Sequence, residues 1–410
     1  MLITNIGVLV GTDGGDTPFL RGKDMNRLGT LSNAWLRTDG ERIRDFGPMD
    51  ECPAPRVGEE KVDAEGGYLF PSFCDSHTHI VYAGSREREF IDKINGLSYE
   101  EIAKRGGGIL NSADLLHATS EDELYRQAMT RVREIIAMGT GCVEIKSGYG
   151  LTTADELKML RVIARIAEST PLKVKATFLG AHAVGRAYAG RQGDYVNLVC
   201  NEMIPAVAAE GLAEFVDVFC DAGFFTVEET DRILTAGAHY GLRPKIHANE
   251  LAVSGGVQVG VKHKAISVDH LERIGDEEIA ILAEAQTVAT MLPGASFFLG
   301  MPYGPARKAI ESGAIVALAS DYNPGSSPSG NMRMVMSLGC IKMKLTPAEA
   351  INATTLNGAF AMGCSNDYGS IASGKIANFY LTRPLPSLEF YPYAYATPVI
   401  TRTYLKGELA

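Results

Sequence analysis

The sequence predicts an α/β fold: a (β/α)8 barrel of the TIM type with a small β-domain assembled from both chain ends. Three patterns carry that expectation. Eight apolar, strand-like runs alternate with helical segments through the middle of the chain, as in parallel strands joined by helices. Short segments punctuated by Gly and Asp occupy both ends, where hairpins are expected instead. Histidines and acids recur at the ends of the apolar runs, where such a barrel assembles its functional site. The expected division is a composite β-domain from residues 1–66 plus 365–410 and a barrel from 67–364.

In order, Leu2–Val10, Asn33–Thr38 and Arg42–Phe46 read as strands of hairpins, and Ile376–Thr382 and Val399–Leu405 repeat the pattern at the far end. Isolated hairpins are marginal in water, so the two ends are expected to complete one β-domain together. Tyr68 opens an apolar run that reads as a buried strand ending in His77 and His79. Helices are expected at Tyr99–Ala103 and at Glu121–Met138, the second opened by Ser120-Glu-Asp-Glu123 and closed by Gly139. Strand Cys142–Lys146 precedes a helix at Ala154–Glu168 opened by Thr153; then come strand Val174–Leu179 and a helix near Asn197–Glu210. Strand Phe215–Cys220, helix Val227–Tyr240, strand Lys245–His247, a short helix near Gly255–Val261 and strand Ile266–His270 continue the alternation. Helix Asp276–Glu284, strand Thr287–Met291, a helix near Ala306–Ser312 and strand Ile315–Ser320 complete it, before helices at Met332–Lys342 and Pro347–Met362. A doubly wound open sheet is the alternative, but no Gly-x-Gly-x-x-Gly follows the first strand. The run Arg105-Gly-Gly-Gly108 has no lysine-serine pair behind it and reads as a turn or a flexible lid.

At 410 residues the chain exceeds one average domain, and a barrel takes about 250, which leaves room for the second unit. Hydrophobic residues at 46% against charged residues at 21% give the balance of a globular protein with a large core. A formal net charge of −10 without a basic stripe argues against a nucleic-acid partner. The amino terminus lacks a basic leader, and no apolar run approaches the ~20 residues that span a bilayer. A cytoplasmic protein without a membrane partner is therefore expected. Seven cysteines are scattered without paired spacing, so buried thiols are expected in place of disulfides.

The strand ends carry the chemistry. His77 and His79 end the first barrel strand with i, i+2 spacing, which sends both imidazoles from one face. His247 ends the fifth strand, His270 the sixth and Asp321 the eighth. Singly, each has an ordinary reading as a hydrogen-bonded buried histidine or as the Asp that starts an Asn-Pro-Gly turn. Together they converge in a barrel, and three imidazoles with a carboxylate suit Zn or Fe(II) better than Ca or Mg. With His77, His79, His247 and Asp321 as ligands, one coordination position stays open for water. Glu250 lies three residues past His247, placed to take a proton from that water, and His270 is placed to orient it. His117, His239 and His263 fall in helical or loop stretches and read as surface or structural groups. The loops supply substrate groups: Arg86, whose forked cation suits a carboxylate, with Arg88 as competitor; Tyr149 and His182 after the second and third strands; and the Asn323-Pro-Gly-Ser-Ser loop.

Pro71–Arg86 with its His-x-His, the later His247-Ala-Asn-Glu250, and Ser320-Asp321 resemble the metal-dependent amidohydrolase superfamily. The strings His77-Thr-His79-Ile-Val-Tyr-Ala-Gly-Ser-Arg86, Lys146-Ser-Gly-Tyr-Gly-Leu151, Gly180-Ala-His182 and Asp321-Tyr-Asn-Pro-Gly-Ser-Ser-Pro328 are more narrowly similar to the imidazolonepropionase family, over nearly the whole chain. The resemblance implies a barrel with a β-sandwich built from both ends, a cytoplasmic homodimer, and hydrolytic opening of 4-imidazolone-5-propanoate to N-formimidoyl-L-glutamate in histidine breakdown. It implies one divalent or trivalent ion per subunit, Zn or Fe, on His77, His79, His247 and Asp321. It further implies catalytic roles for Glu250, His270 and Asp321, and substrate or product contacts at Arg86, Tyr149, His182, Glu250, Asn323, Gly325 and Ser326. Two departures stand out. The fourth strand ends in Phe219-Cys220-Asp221 where many superfamily members place a metal-bridging lysine, so a single metal is expected, and Lys146 on the second strand is not placed to bridge. Asn378 stands where the superfamily usually has Asp. The nearest rival is a cytosine- or guanine-type deaminase with the same polar residues; a catalytically dead barrel serving as a binding protein is the other.

Overall fold

The hairpin signals of the amino end become β1 (Leu2–Val10), β2 (Thr30–Asp39), β3 (Arg42–Pro48), β4 (Lys61–Asp63) and β5 (Tyr68–Pro71) in the computed structural model, which describes residues 1–97, 101 and 107–410. The alternating region supplies β6 (Phe73–Asp75), β7 (Thr140–Lys146), β8 (Lys173–Ala181), β9 (Phe215–Cys220), β10 (Arg243–Ala248), β11 (Ser267–His270), β12 (Val288–Met291) and β13 (Val316–Leu318). β14 (Phe379–Thr382), β15 (Ile400–Leu405) and β16 (Glu408–Leu409) follow.

Strands from both ends share one sheet, in the order β16-β15-β14-β5-β1-β2-β3 with β4 against β1. β14 lies antiparallel to β5, with Tyr380 opposite Phe70, so the far end of the chain covers an edge that the near end would otherwise expose. Ile3, Ile6, Leu9, Leu36, Phe379 and Leu381 form a core of their own, separate from the barrel interior. β6 to β13 neighbour one another in chain order as parallel strands, with helices between them. The seam between β6 and β13 closes just beyond the strand ends. Ser320 donates to Asp75 through N–H (2.9 Å) and Oγ (2.5 Å), and the backbone N–H of Asp321 donates to His77 O (3.0 Å).

One expected strand is two. The apolar run from Tyr68 switches sheets at Ser72, because successive donors face different partners: Ser72 N–H donates to Asn378 O and Phe73 N–H to Gly139 O. His77 and His79 lie past the end of β6, where a bridge between Thr78 and Tyr322 keeps the chain extended, so the i, i+2 geometry survives. Asn378 stitches the two sheets, its amide donating to Gly141 O (3.2 Å) and accepting from Lys406 N–H (2.7 Å). An aspartate there would supply only the acceptor.

The helices deviate locally. Thr152, not Thr153, caps the helix Thr153–Ser169, accepting from Asp155 N–H. The helix expected over Pro347–Met362 breaks at Thr355 (φ −125°, ψ −87°) into Pro347–Thr354 and Leu356–Ala361. The hydroxyls of Thr354 and Thr355 donate to Ala350 O (2.8 Å) and Ile351 O (2.6 Å), competing with the backbone ladder. Helices Glu87–Ile94, Ile109–Ala118 and Pro293–Leu299 were not expected. The helix expected at Tyr99–Ala103 lies outside the described residues apart from Glu101, and the expected turn or lid at Arg105–Gly108 is described only from Gly107 onward. All seven cysteines are free, and Cys74, Cys142 and Cys364 pack together in a small buried cluster.

Candidate active site

The C-terminal ends of the parallel strands bring the expected polar residues to one point. His77 Nε2 lies 3.3 Å from His79 Nε2, and His79 Nε2 lies 3.4 Å from His247 Nε2. Asp321 Oδ1 is 3.5 Å from His77 Nε2 and 3.6 Å from His79 Nε2. Bond lengths of 2.0–2.1 Å in a tetrahedral site separate ligand atoms by about 3.4 Å, so these spacings fit a single cation. Protonation supports the fit. His77 donates from Nδ1 to Asp269 (2.7 Å), which leaves its Nε2 a bare lone pair facing His79, and His247 Nδ1 sits 3.0 Å from the Asp217 carboxylate. Burial, reinforced by Lys146 at His77 and by His182 at His79, holds both imidazoles well below their usual range and therefore neutral. Converging neutral donors and a carboxylate in a buried pocket suit a divalent metal.

Backbone strain aims several of these groups. Asn249 (φ +57°), His270 (φ +83°), Leu271 (φ +69°) and Asp321 (φ +52°) all adopt left-handed conformations that non-glycine residues rarely take, clustered at the rim. They persist because neighbours hold them: Leu271 N–H donates to Ala248 O, and Asn249 Nδ2 donates to Arg273 O.

Glu250 and His270 stand side by side, with His270 Nδ1 3.7 Å from Glu250 and 3.6 Å from Glu272. Burial pushes the Glu250 carboxyl up to about 7, against the opposing pull of His270. Burial alone would lower His270, but the carboxylates of Glu250 and Glu272 outweigh it and raise the imidazole to about 10. Asp321 is raised chiefly by burial.

A cavity of about 740 Å³ collects His79, Arg86, Tyr149, His182, His247, Glu250, His270, Asp321, Asn323, Gly325 and Ser326 among its lining residues, with His77 directly behind His79. Every expected site residue is thus brought together. Arg86 is fixed through Nε to Ser112 Oγ (2.9 Å), while its Nη2 is buried without a hydrogen-bond partner among the described residues; Arg88 is exposed and does not line the cavity. His182 donates from Nδ1 to Gly148 O (3.0 Å), which leaves Nε2 as an acceptor. Burial lowers this imidazole to about 3.

The 323–327 loop is held by one of its own side chains. Asn323 Oδ1 takes the N–H groups of Gly325 and Ser326 (2.8 Å each), so those backbone donors are occupied within an Asx turn. What Gly325 offers is room: a Cβ there would lie 2.3 Å from Arg86 Nη1.

Sequence reasoning missed the groups behind the histidines and one at the mouth. Asp217, Asp269, Glu144, Lys146 and Lys245 form a fully buried charged layer. Glu156, in the first turn of the helix Thr153–Ser169, accepts from the N–H groups of Gly148 (3.0 Å), Gly150 (2.8 Å) and Leu151 (2.9 Å) and shapes the loop carrying Tyr149. Lys93 lines the cavity and donates to Gly325 O (3.0 Å). The available signal was i, i+2 spacing, which puts Lys245 on the face of His247 and Glu144 on that of Lys146.

Metal-type donors, an adjacent acid-base pair and an anion-seeking cation at one barrel rim define a hydrolase of the amidohydrolase class. Residues 68–409 match the amidohydrolase family. Over 409 residues the chain is 52% identical to an imidazolonepropionase of Christiangramia forsetii, spanning 100% of this chain and 99% of that one. It is 42% identical over 418 residues to an imidazolonepropionase of Symbiobacterium thermophilum, spanning 100% and 96%. The chain belongs to the amidohydrolase family and, within it, to the imidazolonepropionases. Among solved structures it resembles a zinc complex of atrazine chlorohydrolase from Arthrobacter aurescens (TM-score 0.73, 16% identity, 100% and 94% covered). It also resembles Escherichia coli guanine deaminase (TM-score 0.69, 14% identity, 100% and 99% covered). At those identities the likeness is one of fold alone.

Proposed function

We propose that this chain hydrolyses a cyclic amide C–N bond, opening 4-imidazolone-5-propanoate to N-formimidoyl-L-glutamate in histidine degradation. The observation that carries the reading is Arg86 Nη2, buried and unpartnered in the same cavity as the histidine-aspartate cluster. A substrate with a hydrolysable ring carbonyl and a carboxylate arm matches both ends. Relatives named imidazolonepropionase at 52% and 42% identity support that substrate.

His77, His79, His247 and Asp321 would hold one ion, Zn or Fe. When bound, it supplies Lewis acidity, lowering the pKa of water in its reach from about 15.7 towards ~7. Arg86 pairs with the propanoate and presents the ring. His182 Nε2 accepts from a ring N–H, and Tyr149 flanks the arm. Glu250 takes a proton as the water oxygen attacks the ring carbonyl carbon. His270 stabilises the charge developing on the carbonyl oxygen. Glu250 then returns the proton to the departing ring nitrogen as the C–N bond breaks, leaving on the former carbonyl carbon a carboxylic acid that releases its proton to solvent at neutral pH. Asn323 and Ser326 hold Asp321 from behind, with Ser326 Oγ donating to its Oδ2 (3.1 Å). We take the enzyme as a cytoplasmic homodimer without nucleic-acid or membrane partners. The net charge of −10 without a basic stripe speaks against a nucleic-acid partner, and no helix among the described residues is long and apolar enough to cross a membrane.

The test is incubation of metal-replete protein with 4-imidazolone-5-propanoate, following product mass and ammonia together. Gain of one water without ammonia is expected. Ammonia release would replace this reading with a deaminase, and an unchanged substrate would remove it.

A further inference from the structure

We propose that Lys146 is a positioning residue for the metal ligands, its single ammonium tying together the two carboxylates that hold His77 and His247. The inference rests on the metal-site reading above.

Alternation along β7 turns Glu144 and Lys146 to the same inner face, and both are completely buried, as are Asp217, Lys245 and Asp269. Lys146 Nζ lies 2.9 Å from Asp217 Oδ2, 3.5 Å from Asp269 Oδ2 and 2.5 Å from Glu144 Oε1. The same two aspartate oxygens face the histidines. Asp269 Oδ2 accepts from His77 Nδ1 at 2.7 Å, and Asp217 Oδ2 sits 3.0 Å from His247 Nδ1. Asp217 grips His247 a second time, its Oδ1 accepting the backbone N–H at 3.0 Å.

Lys245 is no substitute. It donates to Glu144 and to Ser76 O (3.1 Å), and comes only within 4.0 Å of Asp269. Two ammoniums against three carboxylates leave the layer with a formal charge of −1, from 2 − 3, so removing Lys146 leaves like charges crowded behind the ligands. Free to separate, Asp217 and Asp269 would let their imidazoles turn, and the Nε2 atoms would no longer converge. Partners behind metal-bound histidines typically govern affinity by 10- to 100-fold.

The experiment measures zinc dissociation constants by chelator competition for the full chain and for Lys146→Met, Lys146→Gln and Lys375→Met. Thermal melts of the metal-free proteins accompany them. Lys375 is the control, also a buried lysine but bonded to Ser365 O and Ser370 Oγ, away from the histidines. Lys146→Met is expected to weaken zinc binding ~10- to 100-fold, and Lys146→Gln, which keeps one donor, by less. Lys375→Met is expected to lower the melting temperature while leaving zinc affinity within about threefold. If Lys146→Met does not fold, Lys146→Gln decides alone. Zinc affinity within about threefold of the native chain in the folded Lys146 variants, whatever their melting temperatures, overturns the proposal. Failure of the native chain to bind zinc would instead overturn the metal-site reading beneath it.

Discussion

The wall behind the histidines and the mouth of the cavity are built in opposite ways. The wall is made of strand residues. Glu144, Lys146, Asp217, Lys245 and Asp269 are all fully buried and are tied across strands. The mouth rests on short helices, Glu87–Ile94 and Pro293–Leu299, where Phe90, Ile94 and Phe297 are exposed by 41%, 64% and 56%. Its contacts join separate segments: Phe90 stacks on Phe298 at 5.4 Å, Glu89 accepts from Gly108 N–H, and Lys93 donates to Gly325 O. The wall therefore fixes what chemistry is possible, while the mouth adjusts how substrate is seated.

That contrast breaks if wall and mouth substitutions cost alike. The largest effect is expected from the metal: chelation should abolish turnover and lower the melting temperature, and zinc should restore both. An ion present at 100 times its Kd contributes about 2.7 kcal/mol to stability. Next, Glu250→Gln should cut kcat by ~10²- to 10⁴-fold while bound metal, assayed by elemental analysis, stays stoichiometric. Burial raises Glu250 to about 7, and a protonated carboxyl is no base. The native kcat/KM should accordingly fall about tenfold per pH unit below that point, a limb absent from the residual activity of the Gln variant. Arg86→Ala should raise KM by ~10- to 100-fold with a smaller change in kcat, as expected for losing a charged hydrogen bond of about 1.5–3 kcal/mol. Gly325→Ala should do the same more mildly, because its Cβ displaces the guanidinium. Phe297→Ser should change KM by no more than about threefold, since exposed positions typically shift energies by ~0.5 kcal/mol. Steady-state kinetics on these variants sharpens the ranking, and a large Phe297 effect would erase it.

The barrel was legible because its strands are buried on both faces and leave apolar runs at regular intervals, from Cys142–Lys146 to Ile315–Ser320. The rim was legible because parallel strands point their C-terminal ends at one place, so His77, His247 and Asp321 could be added together despite their separation in the chain. The break at Ser72 was not, although Pro71-Ser72 marks it within an otherwise apolar run, because the run reads on as one strand until the hydrogen-bond partners separate β5 from β6. The charged layer was hidden for another reason. Lys146 meets Asp217 71 residues away and Lys245 meets Glu144 101 residues away, pairings that depend on register across strands and not on local pattern. That Asn323 would consume the N–H groups of Gly325 and Ser326 was not legible, because a turn motif does not disclose that its own side chain takes its donors.

The joint at Ser72 also sets a timetable. Tyr68 N–H is completed by Thr382 Oγ1, 314 residues later in the chain. At synthesis rates of about 5–20 residues per second, that interval lasts roughly 15–60 s. Throughout it, the strand leading directly into the first stave of the barrel offers a bare edge to any passing chain. The barrel's staves can close while translation continues, but the terminal sheet waits for the last few dozen residues. The enzyme's vulnerable moment is therefore its birth on the ribosome, at a place far removed from its chemistry.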